Sequence, residues 1–123
     1  MDIKLEHIVL DANFNIKLID FNFSCQVSSF CDERKGTLQY MTPEMHMGQK
    51  YSPIAADLFS LGVLLFILYT GVQPFSKATL KDSLYKLIAH GRLNQFWQCH
   101  ESRPNCPPLS AEFKDLMSYM LAY

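Results

Sequence analysis

The sequence predicts a mainly helical domain with a short β-ribbon along one edge. Three observations lead there. Two strand-like runs, 8–11 (IVLD) and 15–19 (NIKLI), sit close together across Ala12-Asn13-Phe14. A strongly apolar run, Leu58–Tyr69, lies between a Ser-Pro start signal and a glycine stop. Beyond it, apolar residues recur at helical rather than alternating spacing.

The two runs have strand composition, and Asp11 and Asn13 are turn formers, so a hairpin is expected. Residues 22–36 mix Ser, Cys, Asn and charge with no steady period and read as a loop. Thr42-Pro43-Glu44 reads as a helix start: a capping hydroxyl, a proline whose missing N–H costs nothing in the first turn, and an acid at the positive end of the helix. Ser52-Pro53 opens the next helix in the same way, and Gly71 closes it after Thr70. That helix is apolar nearly all round and is expected to be the buried centre. A helix over Thr79–His90 would put Leu80, Leu84, Leu87 and Ile88 on one face, with Gly91 as its stop. The proline-bearing stretch 101–109 connects it to a helix over Ser110–Ala122, capped by Ser110 and striped by Phe113, Leu116, Met117, Met120 and Leu121.

Composition narrows the function classes. At 123 residues the chain is long enough for one domain with a modest core. A net charge of −1 gives no reason to expect nucleic acid or an anionic membrane as partner. Four cysteines, none in C-x-x-C, read as reduced thiols in the cytoplasm. A zinc site would need scattered partners such as His46 or His100. Asp2, Lys4 and Glu6 interrupt any apolar leader. The run Leu58–Tyr69 is shorter than the roughly 20 residues that cross a bilayer, so no membrane span is expected.

The chemistry-bearing residues fall in a fixed order. Asp2-Ile3-Lys4-Leu5-Glu6-His7 precedes the strand pair and Asp20-Phe21-Asn22 follows it. GTLQYMTPE at 36–44 comes next, then YSPIAADLFSLGVLLFILYTGVQPF at 51–75. Each piece is weak alone, but the series over the whole chain resembles a Ser/Thr protein kinase. The match runs from catalytic loop through metal-binding D-F-G, activation segment and A-P-E to a central helix with D-x-x-S-x-G. The family is α+β; this portion resembles its large, mainly α, C-terminal lobe, with an activation segment over 20–44 and a helical subdomain over 45–123.

The resemblance implies a set of roles. Phosphoryl transfer needs positioning and charge neutralisation more than covalent help. Asp2 matches the carboxylate that accepts the substrate hydroxyl's proton, and Lys4 the cation beside the moving phosphoryl group. Asp20 matches the magnesium-binding carboxylate. Thr37 matches a hydroxyl that bonds both catalytic groups. Asp57 matches a buried carboxylate bracing the catalytic loop, and Glu44 the acid of A-P-E. ATP and magnesium are the implied cofactors, and a protein Ser/Thr hydroxyl the implied acceptor. Taken singly, Asp2 and Lys4 could be solvated charges, and Asp20 and Thr37 ordinary turn residues. Asp57 inside an apolar helix is harder to read that way, because a buried carboxylate needs donors.

Departures from the pattern set further expectations. No glycine-rich loop, phosphate-binding lysine or glutamate partner stands among these residues, so the chain alone is expected to be inactive. His7 stands where the family has the asparagine of a second magnesium site, and imidazole suits that hard ion poorly. Asn22 replaces the glycine of D-F-G, a change that left-handed tolerance of asparagine would soften. The chain closes on the third large-lobe helix, so Glu44 is expected to lack the arginine that pairs with it in the family. Met1 occupies the place of the arginine that meets an activation-loop phosphate, so phosphorylated Ser24, Ser28, Ser29 or Thr37 would lack that reader. Tyr85, Ile88 and Phe96-Trp97 are expected to pack; the alternative is a pseudokinase-like interaction module, in which an exposed Trp97 would be a docking anchor. Apolar faces left uncovered are expected to drive self-association.

Overall fold

The structure is a computed structural model that describes residues 2–27 and 30–122. The expectations attached to Met1, Ser28 and Ser29 therefore lie outside the described residues. A 3-10 turn over Leu5–His7 leads into strand β1 (Ile8–Leu10), which pairs antiparallel with β2 (Ile16–Leu18), Val9 facing Lys17. The strands are shorter than the apolar runs because Asp11 and Asn15 belong to the turn. Asp11 Oδ1 accepts the amides of Asn13 and Asn15 at 2.9 Å each, and Phe14 takes a left-handed φ of 62°.

Five α-helices follow among the described residues. α1 (Pro43–Met47) begins where expected: the Thr42 hydroxyl accepts the Met45 amide and Pro43 fills the first turn. α2 (Pro53–Thr70) is capped by Ser52 and ends at Gly71, whose φ of 74° is the left-handed stop. α2 is the centre of the molecule. Val63 and Phe66 are wholly enclosed, and the Phe66 ring meets Phe96, Trp97, His100 and Phe113 with centroids 4.7–6.3 Å apart. By length and composition α2 could also cross a membrane, but here its middle is the core.

One side of α2 stays open. Ile54, Leu58 and Leu68 are each more than half exposed, and with the partly buried Leu61 and Leu65 they form a stripe stepping by four and three residues. That is the spacing with which one helix receives another.

Two helices differ from the sequence reading. The helix expected over Thr79–His90 shrinks to α3 (Tyr85–Ala89). Asp82 is the cause. Its Oδ1 accepts the amides of Leu84 and Tyr85 at 2.9 Å, while Oδ2 accepts that of Ser76, so Asp82 caps from within the predicted helix and 79–84 stays a turn. Leu80, placed on the buried face, is 60% exposed as a result. The second difference is an addition, α4 (Leu93–Glu101). It buries Trp97 to 6% exposure against Phe66, which removes Trp97 as a docking anchor.

α5 (Ala111–Met120) starts on Ser110, whose hydroxyl accepts the Phe113 amide at 3.1 Å. It crosses α2 at Gly62, where a Cβ would lie 2.8 Å from Met120 Cβ. Only a residue without a side chain permits that approach.

His100, buried in the core, offers a test of this packing. Its Nε2–H donates to the Pro74 carbonyl at 3.0 Å, and its ring stands edge-on to Phe66 and Phe96 at 4.7 Å. Burial drives its pKa down to about 4; the Pro74 bond opposes that and the Arg103 charge adds to it. Above pH 6.5 the ring is neutral in both folded and unfolded chains and confers no pH dependence. Between pH 6.5 and about 4 only the unfolded chain takes up the proton, so stability falls with pH by about 3 kcal/mol in all. Urea unfolding from pH 7 to 4.5 should show His100→Phe free of most of that loss, so the two profiles converge as pH falls. Parallel profiles would contradict the burial assigned to His100.

Candidate active site

Asp2 is the group around which the site is built. It is 8% exposed, so its carboxylate needs donors. Thr37 supplies two: its amide reaches Asp2 Oδ1 at 2.9 Å and its hydroxyl reaches Oδ2 at 3.1 Å. Lys4 completes the ring, with Nζ 3.2 Å from Asp2 Oδ2 and 3.0 Å from Thr37 Oγ1. Burial alone would raise the Asp2 pKa. The Thr37 amide, Lys4 and the Thr37 hydroxyl outweigh it and hold the carboxyl below its ordinary range, so the group stays ionised.

The local sequence explains how a residue 35 positions away reaches Asp2. Gly36 has φ 121°, a left-handed angle, and a Cβ there would stand 3.2 Å from Asp2 Oδ1. Glycine is what lets the backbone come this close. Tyr40 then ties the loop to the core. Its amide donates to the Thr37 carbonyl at 2.9 Å, and its own carbonyl accepts the buried Ser60 hydroxyl of α2 at 2.8 Å. Asp2 is thus connected to the central helix through Thr37, Tyr40 and Ser60.

His7 joins this ring to Asp20. Its Nδ1 is 2.8 Å from the Asp2 carbonyl and its Nε2 3.4 Å from Asp20 Oδ2. A carbonyl only accepts, so Nδ1 carries the hydrogen. The hairpin sets the distance, because the Ile19 amide donates to the His7 carbonyl at 2.9 Å as the ribbon closes. Asp20 has a left-handed φ of 62°, and its Oδ1 accepts the Asn22 amide at 3.3 Å. The left-handed residue of this turn is therefore Asp20, and Asn22 does not need the tolerance expected of it.

Asp2, Thr37, Ser60 and the half-buried Asp57 line one cleft of about 110 Å³, which Cys25 and Cys31 also border. Asp20 is not among its lining residues and is reached through His7. Glu44 lies apart in the first turn of α1, half-buried, with no hydrogen bond or ion pair to its side chain among the described residues. Of the residues singled out from the sequence, the fold gathers Asp2, Lys4 and Thr37 in one ring, adds His7 and Asp20 at its edge, and puts Asp57 in the same cleft. Tyr40 was the omission; it lay inside the GTLQYMTPE series, and only the path of its two backbone bonds reveals its part.

The site residues divide on magnesium. The Asp20 side chain is 39% exposed and offers carboxylate oxygens, the donors a hard cation prefers. His7 offers a nitrogen on a ring already committed to the Asp2 carbonyl, which does not fit a second magnesium.

The protein kinase domain model matches residues 1–123. Testis-specific serine/threonine-protein kinase 1 of Mus musculus is 34% identical over 98% of this chain and 32% of its own length. CBL-interacting serine/threonine-protein kinase 24 of Arabidopsis thaliana is 36% identical over 98% of the chain and 25% of its own length. Serine/threonine-protein kinase ppk16 of Schizosaccharomyces pombe is 38% identical over 71% of the chain and 14% of its own length. The chain spans about a third or less of the curated relatives it matches. With its mainly helical fold and the Asp2 ring in place, the chain belongs to the serine/threonine protein kinase family.

Proposed function

We propose that residues 1–123 form the large-lobe part of a kinase domain that transfers the ATP γ-phosphate to protein Ser or Thr hydroxyls. In this reading 20–44 is the activation segment and 45–123 the helical subdomain. The observation that carries it is the ring of Asp2, Thr37 and Lys4, closed by contacts of 2.9–3.2 Å. Asp2, held ionised, accepts the proton as the substrate oxygen bonds to phosphorus and the bond to the ADP oxygen breaks. Lys4 sets a positive charge beside that oxygen, and Thr37 fixes both side chains. Asp57 and Glu44 serve as structural supports. Asp20 would hold magnesium, which when bound offsets the negative charge of the β- and γ-phosphates. Four free thiols fit a reducing, cytoplasmic setting.

The 123 residues alone carry too few contacts for ATP. Their glycines, at 36, 48, 62, 71 and 91, are too widely spaced for a phosphate-cradling G-x-G-x-x-G loop. The pseudokinase-like reading is favoured by one observation, the engaged His7 ring at the second metal position. Nucleotide titration and labelled-phosphate transfer by the purified chain separate these readings. The chain alone should show background transfer, and micromolar ATP affinity with turnover would overturn that. Joined to a polypeptide that supplies the glycine-rich loop and its lysine, a kinase should gain activity that Asp2→Asn lowers by about 10²–10⁴-fold. Silence of both forms would favour the interaction module.

We also propose that the chain self-associates through the open stripe of α2. It exposes 7760 Å², whereas a compact monomer of 14.2 kDa exposes roughly 6,800 Å². Light scattering should report dimers or larger species. Leu58→Glu with Leu68→Glu, both at exposed positions, should return a monomer. A clean monomer of the unaltered chain would contradict the proposal.

A further inference from the structure

We propose that Cys25 and Cys31 are a redox pair whose disulfide fastens the segment after Asp20 to the start of α2. Their sulfurs are 3.4 Å apart, already in contact as thiols. Neither of the other two cysteines competes in this structure. Cys106 Sγ faces the Pro107 carbonyl at 3.4 Å, and Cys99 is exposed on α4.

The two cysteines sit on differently held backbone. Cys31 is anchored: its amide donates to the Tyr51 carbonyl at 3.0 Å and its carbonyl accepts the Tyr51 amide at 2.9 Å, one residue before the Ser52 cap of α2. The Tyr51 hydroxyl adds a bond to the Glu33 carbonyl at 3.0 Å. Cys25 follows the Asp20 turn with much less support. The Ser24 amide reaches the Phe21 carbonyl at 2.9 Å, but Phe23, Val27 and Phe30 all stand exposed. A bond between the sulfurs would carry the anchorage of Cys31 across to Cys25. Both residues also border the cleft that holds Asp2 and Thr37. The same bond would therefore fix one wall of the candidate active site.

The chemistry needs a two-electron oxidant, here a peroxide. The Cys25 sulfur is the more exposed and meets it first. It attacks one peroxide oxygen, the O–O bond breaks, water leaves, and Cys25 becomes a sulfenic acid. The Cys31 sulfur then attacks the Cys25 sulfur and expels a second water. Two thiols and one hydrogen peroxide thus give one disulfide and two waters. Cys31 is placed for the second step by its sulfur contact with Cys25 and its lesser exposure. Its hydrogen bond with Cys25, partial burial, and the charges of Glu33 and Asp32 raise its thiol pKa, which slows its own attack on peroxide. A dithiol reductant reverses the bond by exchange.

The test uses the reduced full chain, graded hydrogen peroxide, alkylation and peptide mass analysis. Trypsin cuts after Lys17 and Arg34, so one peptide holds both cysteines. That peptide should lose two hydrogens and all alkylation, and regain both with dithiothreitol. Cleavage after Phe30 should then leave two segments joined through sulfur. Cys25→Ser should leave Cys31 open to alkylation, and Cys31→Ser should leave a sulfenic acid trapped by dimedone at Cys25. Amide exchange over the described part of 22–36 should slow on oxidation in the parent chain and in neither variant. Independent over-oxidation of the two sulfurs, pairing with Cys99 or Cys106, or covalent dimers would each overturn the proposal, as would a disulfide that leaves exchange unchanged.

Discussion

A carboxylate taken out of water must be met by donors, and the candidate active site follows from how this chain meets that need at Asp2. An unpaired buried charge costs several kcal/mol, more than a domain of this size can spare. The donors come from far along the sequence, so satisfying Asp2 also closes the loop that carries Thr37. Gly36 suits the approach because a side chain would strain its φ of 121° and a Cβ would crowd Asp2 Oδ1 at 3.2 Å. Ser60 reaches Tyr40 so that the loop does not swing free of α2. The chemical site and the core are thus one connected structure.

That dependence sets what was readable in the sequence. Caps and stops are local, and Thr42-Pro43, Ser52-Pro53, Gly71 and Ser110 mark their helices within a residue or so. The order of Asp2, Lys4, Asp20, Thr37 and Asp57 was visible as a pattern, but nothing in the sequence says that Thr37 gives both its amide and its hydroxyl to Asp2. The helix ending at His90 was drawn too long because a stripe of leucines says nothing about Asp82, whose carboxylate captures amides on both sides of it. α4 has no local start signal, because Arg92 makes no side-chain cap, and the packing expected of Phe96-Trp97 does not by itself mark a helix. Burial by distant partners decided both cases.

The site has a firm side and a loose one. Asp2, Lys4 and Thr37 are tied to α2 through Tyr40 and Ser60. Asp20 sits outside that frame, linked through an imidazole where the family pattern has an amide. Among the described residues after it, Cys31 is held to the body through its bridge to Tyr51. Kinase domains need the metal-bearing turn and the activation segment to be placed together. In this chain the strength of that placement falls away from Thr37 towards Cys25, which is where a chemical cross-link would alter it most.

The claim beneath all of this is that Asp2 and Thr37 hold each other in the folded chain. A double-mutant cycle with Asp2→Asn, Thr37→Val and the pair, read by urea unfolding at pH 7, measures it. A coupling of about 1–3 kcal/mol is expected for hydrogen bonds to a charged, buried acceptor. Additive effects of the two substitutions would contradict it.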